Sequence, residues 1–292
     1  MLKKSFQIIG LLLLISFSFF YTEKVAMVVR NQDPLMIKIQ EYEEVFNNES
    51  VDAIITDNSI IPGINACIVD TNQSYNNMKR VGSYNENMIE YKEIKPKLSL
   101  EKTYDKYILK GNKKGFEVAL VFKVKDSRFI LDVSKFLQKK GIKASFFVDG
   151  KIIENDTQNI YMLIDNGNEI YNLGYDNRYD KDLIVWTNNM IENISHNIPK
   201  YCILSKENEE VLNMCARNKM YTIKSDIEIN YSSTFNTIKP KIEKGSIIVF
   251  DVNDKTVEEL SKTVLFLNSR GYTYNVLSEH LTEKGCPSKI KR

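Results

Sequence analysis

Histidine is nearly absent from this sequence: His196 and His280 are the two in 292 residues. A zinc site resting on three imidazoles cannot be assembled from two, and neither histidine has another four positions away. His196, in ENISHNIPK, is expected to cap a helix end, and His280 lies in the SEHL turn. Glycine is also scarce, at 12, which argues against phosphate-cradling loops. The four cysteines, at 67, 202, 215 and 286, have no CxxC spacing, so a structural zinc or a thioredoxin-like motif has no support. Their even number permits disulfides in an extracellular body, with connectivity open. The reading preferred from sequence is that two or more are buried thiols, Cys202 among them as a small buried filler. An excess of one charge is missing too. Against 40 basic residues stand 38 acidic ones, a formal +2, so no nucleic-acid footprint is expected.

What is present begins with a long apolar run. Met1–Lys4 carries two lysines, and Phe6–Tyr21 reads FQIIGLLLLISFSFFY. It is intermediate between a signal-peptide core and a full bilayer span. No small-x-small cleavage site follows, because Thr22, Glu23 and Lys24 come next. The expectation is an uncleaved membrane anchor over residues 1–30, single-pass through residues 6–21, with the body outside the cytoplasm. Secretion after cleavage is the alternative.

Roughly 250 residues remain, enough for one large α/β domain and a small companion. Residues 31–115 read as a small α+β region without repeats. Ile37–Phe46 is open between helix and strand, strands are expected at Val51–Thr56, Ile64–Val69 and Met88–Lys95, and a short helix at Gln73–Arg80. From Phe116 the pattern becomes regular. Val118–Phe122 is an apolar run, Lys123–Asp126 a charged turn, Ser127–Lys140 a helix closed by Gly141, and Ala144–Val148 a second apolar run. That is the crossover unit of a parallel sheet. Further strands are expected at Glu169–Tyr171, Tyr201–Leu204, Tyr221–Ile223, Ser246–Phe250 and Tyr272–Val276, with helices at Asn159–Asp165, Leu183–Ile194, Glu207–Arg217 and Val257–Ser269. Trp186, Met190 and Ile194 are placed on the apolar side of the second of these helices. The alternation predicts an α/β fold, a distorted (β/α) barrel closed or nearly closed. Ligand-facing groups in such a fold gather at the carboxyl ends of the strands.

Within residues 116–282 three stretches carry a resemblance. KGIKASFFVDGKIIE, NGNEIYNLGYDN and KGSIIVFDVNDKTVEELSKTVLFLNSRGYTYNVLSEHL resemble the second strand, the GHEIGNHGYSH motif and the last quarter of the polysaccharide deacetylase, or NodB-homology, domain. The resemblance implies the NodB-type distorted barrel, with residues 283–292 as a polar tail. It also implies hydrolysis of N- or O-acetyl groups on peptidoglycan, chitin or a related glycan, assisted by a divalent metal.

The family's reactive positions are nevertheless changed. Where the first strand of the family ends in TFDDG, this chain has Val121-Phe122-Lys123-Val124-Lys125, so Lys123 stands at the base position and Val124 at a metal position. Leu173 and Asn177 stand where the resemblance puts metal-binding histidines, Cys202 at or near the arginine of an RPP motif, and Asp251 at the histidine of the last motif. Valine and leucine have no lone pair for a metal, and a lysine ammonium repels one. The expectation is an inactive deacetylase homologue at the cell envelope, without cofactor, binding glycan or a protein partner. Asp126, Asp149, Asp176, Asp226 and Asp251 fall at or just beyond expected strand ends and are the carboxylates from which a replacement metal site, and with it a divergent deacetylase, would have to be built. The simpler reading is turn and cap residues, with Lys123 ion-paired to one of them. Tyr171, Tyr175 and Tyr231 are candidates for stacking on sugar rings from exposed loops.

Overall fold

The computed structural model describes residues 2–287. Helix α1 (Leu2–Asn31) is followed by α2 (Pro34–Phe46), which settles the open segment as helix: Asp33 caps it through the Leu35 N–H, and Pro34 opens its first turn. Two short strands, β1 (Ile54–Ile55) and β2 (Ser59–Ile61), pair antiparallel. Then come β3 (Ala66–Val69), α3 (Thr71–Lys79), β4 (Tyr91–Ile94) and β5 (Tyr107–Ile108). The regular part runs β6 (Glu117–Val124), α4 (Ile130–Lys140), β7 (Ser145–Val148), α5 (Gly150–Asn155), α6 (Thr157–Asp165) and β8 (Glu169–Asn172). It continues with α7 (Lys181–Ser195), β9 (Tyr201–Ile203), α8 (Glu209–Arg217), β10 (Tyr221–Ile223), β11 (Glu228–Ile229) and α9 (Phe235–Ile238). The last elements are β12 (Ile247–Asp251), α10 (Thr256–Ser269), β13 (Thr273–Tyr274) and α11 (Leu277–His280).

The chain divides into two compact units, and the division differs from the boundary at residue 115 expected from sequence. Residues 2–50, 65–94 and 285–287 form one; residues 51–64 and 95–284 form the other. In the first unit, β3 and β4 pair antiparallel and Met36, Ile39, Val69, Met78 and Ile89 make the core. Cys67 and Cys286 are disulfide-bonded there, so the start of the expected polar tail is covalently tied. The described side chains of α1 between Leu12 and Val29 are all exposed, and Leu12–Asn31 is long and apolar enough for a membrane span or a signal sequence. Its last turn is held to this unit by Arg30, whose guanidinium donates to Asn72 at 2.8 Å and lies over the Tyr75 ring.

The second unit holds a parallel sheet in the order β11-β12-β6-β7-β8, and a second sheet in which β2, β5, β10 and β9 run parallel. Strand β6 is buried along nearly its whole length, as a central parallel strand covered on both faces must be. Its side chains alternate between two cores. Leu120, Phe122 and Val124 join the helix-side core, where Phe122 stacks on Phe146 and Phe250 of the flanking strands. Ala119 and Val121 join the inner core with Phe147, Tyr171, Tyr201, Ile223 and Val249. By that period of two, Lys123 belongs to the inner face. The barrel's two sheets are not hydrogen-bonded to each other between β11 and the β5–β10 pair, and a cleft occupies that seam.

Several expectations are corrected. Asn159–Asp165 is the end of α6, which is separate from α5 because Asp156 (φ −142°, ψ 45°) interrupts the helical backbone. The strand expected over Val51–Thr56 contracts to β1, with Val51 bridging Ile64 instead. The buried-thiol reading fails: Cys202 and Cys215 are joined, fully buried against Met220 and Ile184, and no described cysteine is free. Trp186 is not on the apolar side of α7. Ile184, Thr187 and Ile191 make that side, and Trp186 is 52% exposed.

Candidate functional site

Two clefts meet at the carboxyl ends of the barrel strands. The larger, about 840 Å³, runs along β12 and is walled by Leu109, Lys110, Ser225, Glu228, Lys241 and Asp251. The smaller, about 390 Å³, is bordered by Lys123, Lys125, Leu173, Asn177, Arg178 and Tyr179. Ser205, two residues past β9, borders both.

Lys123 stands between them. It is 3% exposed, and parallel pairing of β6 with β12 sets it directly beside Asp251. Its ammonium donates to Oγ of Ser205 at 2.7 Å and to Oε1 of Glu228, and lies 3.0 Å from Oδ1 of Asp251. Ser205 in turn donates to Glu228 at 3.1 Å. Lys125 approaches Asp251 at 3.8 Å, so two cations face two anions. An ammonium this deeply desolvated persists because it has two hydrogen-bond acceptors, Ser205 and Glu228, and a second carboxylate beside it; Oδ1 of Asp251 is an ion-pair neighbour that accepts no hydrogen bond.

Glu228 and Ser205 are the site residues missed from sequence. A signal for the first existed: Asp226-Ile227-Glu228-Ile229-Asn230 alternates polar and apolar, and Ile227 and Ile229 both enter the helix-side core. Ser205 carries no comparable signal.

The remaining candidates disperse. Val124 is fully buried in the helix-side core, away from both cleft linings, because it follows Lys123 on the strand. Leu173 belongs to the inner core and presents hydrocarbon to the smaller cleft. Asn177 takes a left-handed backbone (φ 63°), and its N–H donates to Oδ2 of Asp149 at 2.7 Å. Asp149 also accepts from the N–H groups of Asp176 and Lys151, at 3.0 and 2.9 Å, and so fastens the 173–180 loop to the start of α5. Asp126 caps a helical turn and pairs with Arg128, whose hydrogen bonds hold its carboxyl below the usual range. Asp176 pairs with Lys151 and Asp226 with Lys224. Among the described residues no three His, Cys, Asp or Glu side chains converge as metal ligands. Cys202, at or near the place where the resemblance puts the arginine, is spent in its disulfide.

The tyrosines do not share a surface. Tyr171 is no loop residue but a core one, 7% exposed between Phe147 and Tyr201, and burial pushes its hydroxyl upward. Tyr231 is exposed and donates to Asp254 at 2.8 Å. Tyr175 lies on the 173–180 loop and donates to Glu154 at 2.5 Å. His196 ends α7 in a left-handed turn, its N–H donating to the Glu192 carbonyl. His280 is buried with Nε2 2.8 Å from the Gly245 carbonyl, and burial lowers its pKa.

Residues 110–216 match the family model for polysaccharide deacetylase, and with the parallel barrel around them they mark a polysaccharide-deacetylase homology domain of the NodB type. The chain is 27% identical over 277 residues to the uncharacterized protein YlxY of Bacillus subtilis strain 168, covering 88% of this chain and 86% of that one. Among solved structures it shares its fold with BA3943 of Bacillus anthracis, described as a pseudoenzyme of carbohydrate esterase family 4. That match has a TM-score of 0.67 and 24% identity, over 88% of this chain and 98% of the other. A further structure with this fold is the peptidoglycan N-acetylglucosamine deacetylase Bc1960, with a TM-score of 0.54 and 19% identity, over 61% of this chain and 94% of the other.

The family's divalent metal does not fit the residues present. Of the positions that the sequence resemblance assigns to the metal, Val124 is in the helix-side core, Leu173 offers hydrocarbon and Asn177 a neutral amide, and the ion-paired Lys123 ammonium stands where the resemblance puts the base. What the clefts offer is a set of hydroxyl, ammonium and carboxylate groups at a partly enclosed surface, which suits ligands rich in hydroxyl and amide groups.

Proposed function

We propose that this chain is a deacetylase-fold protein without metal-dependent deacetylation, acting as a glycan-binding protein on the outer side of a cell membrane. The observation that carries the reading is Lys123: its ammonium, bonded to Ser205 and Glu228 and paired with Asp251, supplies positive charge where the reaction of the family needs a base beside a metal. The polar clefts on either side support glycan as the ligand class, as does the family whose model matches. Helix α1 supports a single-pass anchor, and two disulfides support an oxidising compartment for the body.

The test uses the full chain in a detergent without a sugar headgroup. Bound metal is measured by elemental analysis, and acetate release is measured from N-acetylated peptidoglycan and chitopentaose with added Zn²⁺, Co²⁺ or Mn²⁺. Calorimetry with the same oligosaccharide measures binding. The expected result is saturable binding without stoichiometric metal and without acetate. Metal-dependent acetate release that disappears in Asp251→Asn overturns the inactive reading, and absence of binding to chitopentaose and peptidoglycan overturns the glycan reading.

A further inference from the structure

Sequence patterning puts Trp186, the chain's one tryptophan, inside, yet it is 52% exposed on α7. The exposed indole nonetheless has a polar partner. Its indole N–H donates to Oε1 of Glu154 on α5 at 3.2 Å. The other oxygen of that carboxylate, Oε2, accepts from the Tyr175 hydroxyl at 2.5 Å. This bond is the largest influence holding the Tyr175 phenol above its ordinary pKa. The Tyr175 ring is held from a second side. A Cβ added to Gly150 would lie 2.6 Å from Cδ2 of Tyr175, so the ring rests on bare backbone that only glycine leaves open. One carboxylate thus accepts from two aromatic side chains carried by different elements.

We infer that Trp186, Tyr175 and Glu154 form a second glycan contact, a platform on which a pyranose ring of a bound polysaccharide stacks outside the clefts; this rests on the glycan reading above. The apolar C–H face of a pyranose is complementary to an aromatic face, and the carboxylate keeps lone pairs free to accept sugar hydroxyls. Continuity with the clefts is supplied by the 173–180 loop. Asn177, Arg178 and Tyr179 border the smaller cleft, and Tyr175, bridged in register to Arg178, belongs to the platform. A chain lying in the cleft and leaving past Arg178 meets Tyr175 next. The hydrogen bonds to Glu154 restrain both side chains and so lower the side-chain ordering cost of binding.

Trp186 is its own reporter. The full chain in the same sugar-free detergent is titrated with chitopentaose, following tryptophan emission and calorimetric heat together. Saturable quenching or a blue shift at the calorimetric midpoint is expected. Trp186→Ala is expected to weaken binding about fivefold to tenfold. Glu154→Gln, which keeps the side chain's size, is expected to weaken binding and to narrow the emission change, with the thermal midpoint unchanged. Calorimetric binding with unchanged emission and full affinity in Trp186→Ala overturns the platform and leaves the glycan reading intact. No binding by either signal overturns both. Unchanged sugar affinity in Trp186→Ala together with loss of self-association assigns the surface to protein contact, and that outcome too overturns the inference.

Discussion

Lys123 and Asp251 are directly opposed residues on the neighbouring parallel strands β6 and β12, with Nζ and Oδ1 3.0 Å apart. The register that stacks Phe122 on Phe250 one residue earlier also fixes this pair, so the ion pair inherits its position from the aromatic layer beneath it. Glu228 reaches the same ammonium from β11, and with Lys125 beside Asp251 the cluster has four charged members. Removing Lys123 leaves the two carboxylates with the exposed Lys125, 3.8 Å from Asp251, as their neighbouring cation. Lys123→Met is therefore expected to cost about 3 kcal/mol, the scale for breaking a buried pair. The triple variant that adds Glu228→Gln and Asp251→Asn is expected to recover most of that loss, because the repulsion and the buried charge leave together. Denaturant unfolding followed by near-ultraviolet circular dichroism checks both, and a triple variant less stable than the single one contradicts the account.

What was legible in the sequence follows from what is periodic. The β6–α4–β7 unit announced itself because an eight-residue strand buried on both faces and an amphipathic helix leave long signals. Lys123 and Asp251 were legible as altered positions only through the resemblance to the family's motifs, and Lys123, expected in a turn, lies within β6, which runs on to Val124. Glu228 was missed although its segment alternates, since β11 is two residues long and its place beside Lys123 comes through its pairing with β12, a tertiary fact. Tyr171 was misread because the strand carrying it is short, and the turn after it drew the residue outward; the structure puts it on the inner face. The disulfides depend on which elements meet. Cys202 and Cys215 are joined because α8 packs back on β9 and β10, and no spacing rule encodes that.

The two bridges predict a redox behaviour that thiols would not show. The purified, denatured chain is expected to give no reaction with a thiol reagent until reductant is added, and four equivalents afterwards. Replacing Cys202 and Cys215 together by alanine opens a 13-residue separation and is expected to cost about 3 kcal/mol. Loss of that size in thermal or denaturant unfolding is the check. A stability within experimental error of the parent would mean the crosslink contributes nothing.

In the first unit, Asp33 caps α2, and its other oxygen accepts from Lys79 and Tyr75. The Lys79 hydrogen bond is the largest influence, and the carboxyl falls from 3.8 to about 2. A carboxyl depressed in the folded state contributes stability that is complete above its unfolded value and is lost as pH falls through the folded one. Asp33→Asn keeps a capping oxygen but removes the charge. Its thermal midpoint is therefore expected below that of the parent at pH 7, with the gap closing between pH 4 and pH 2. A gap independent of pH would assign the effect to geometry rather than charge.

Asp149 concentrates three backbone donors on one buried carboxylate: Lys151 at the start of α5, and Asp176 and Asn177 at the tip of the 173–180 loop. Both loop residues have positive φ, a conformation that side chains other than glycine adopt at some cost, so the loop depends on this anchor to keep its shape. Asp149→Ala removes the helix cap and leaves the two loop amides to find other partners. A destabilisation of about 2 kcal/mol is expected, combining a lost cap with lost charge-assisted bonds. The more telling readout is local. Hydrogen exchange at the Asp176 and Asn177 amides is expected to accelerate strongly, while exchange in β6 and β12 changes only by the global loss of stability. Because Tyr175 is carried by the same loop, the variant is also expected to weaken chitopentaose binding without altering the Lys123 cluster. Unchanged exchange at the two amides would show that the loop holds its shape without Asp149.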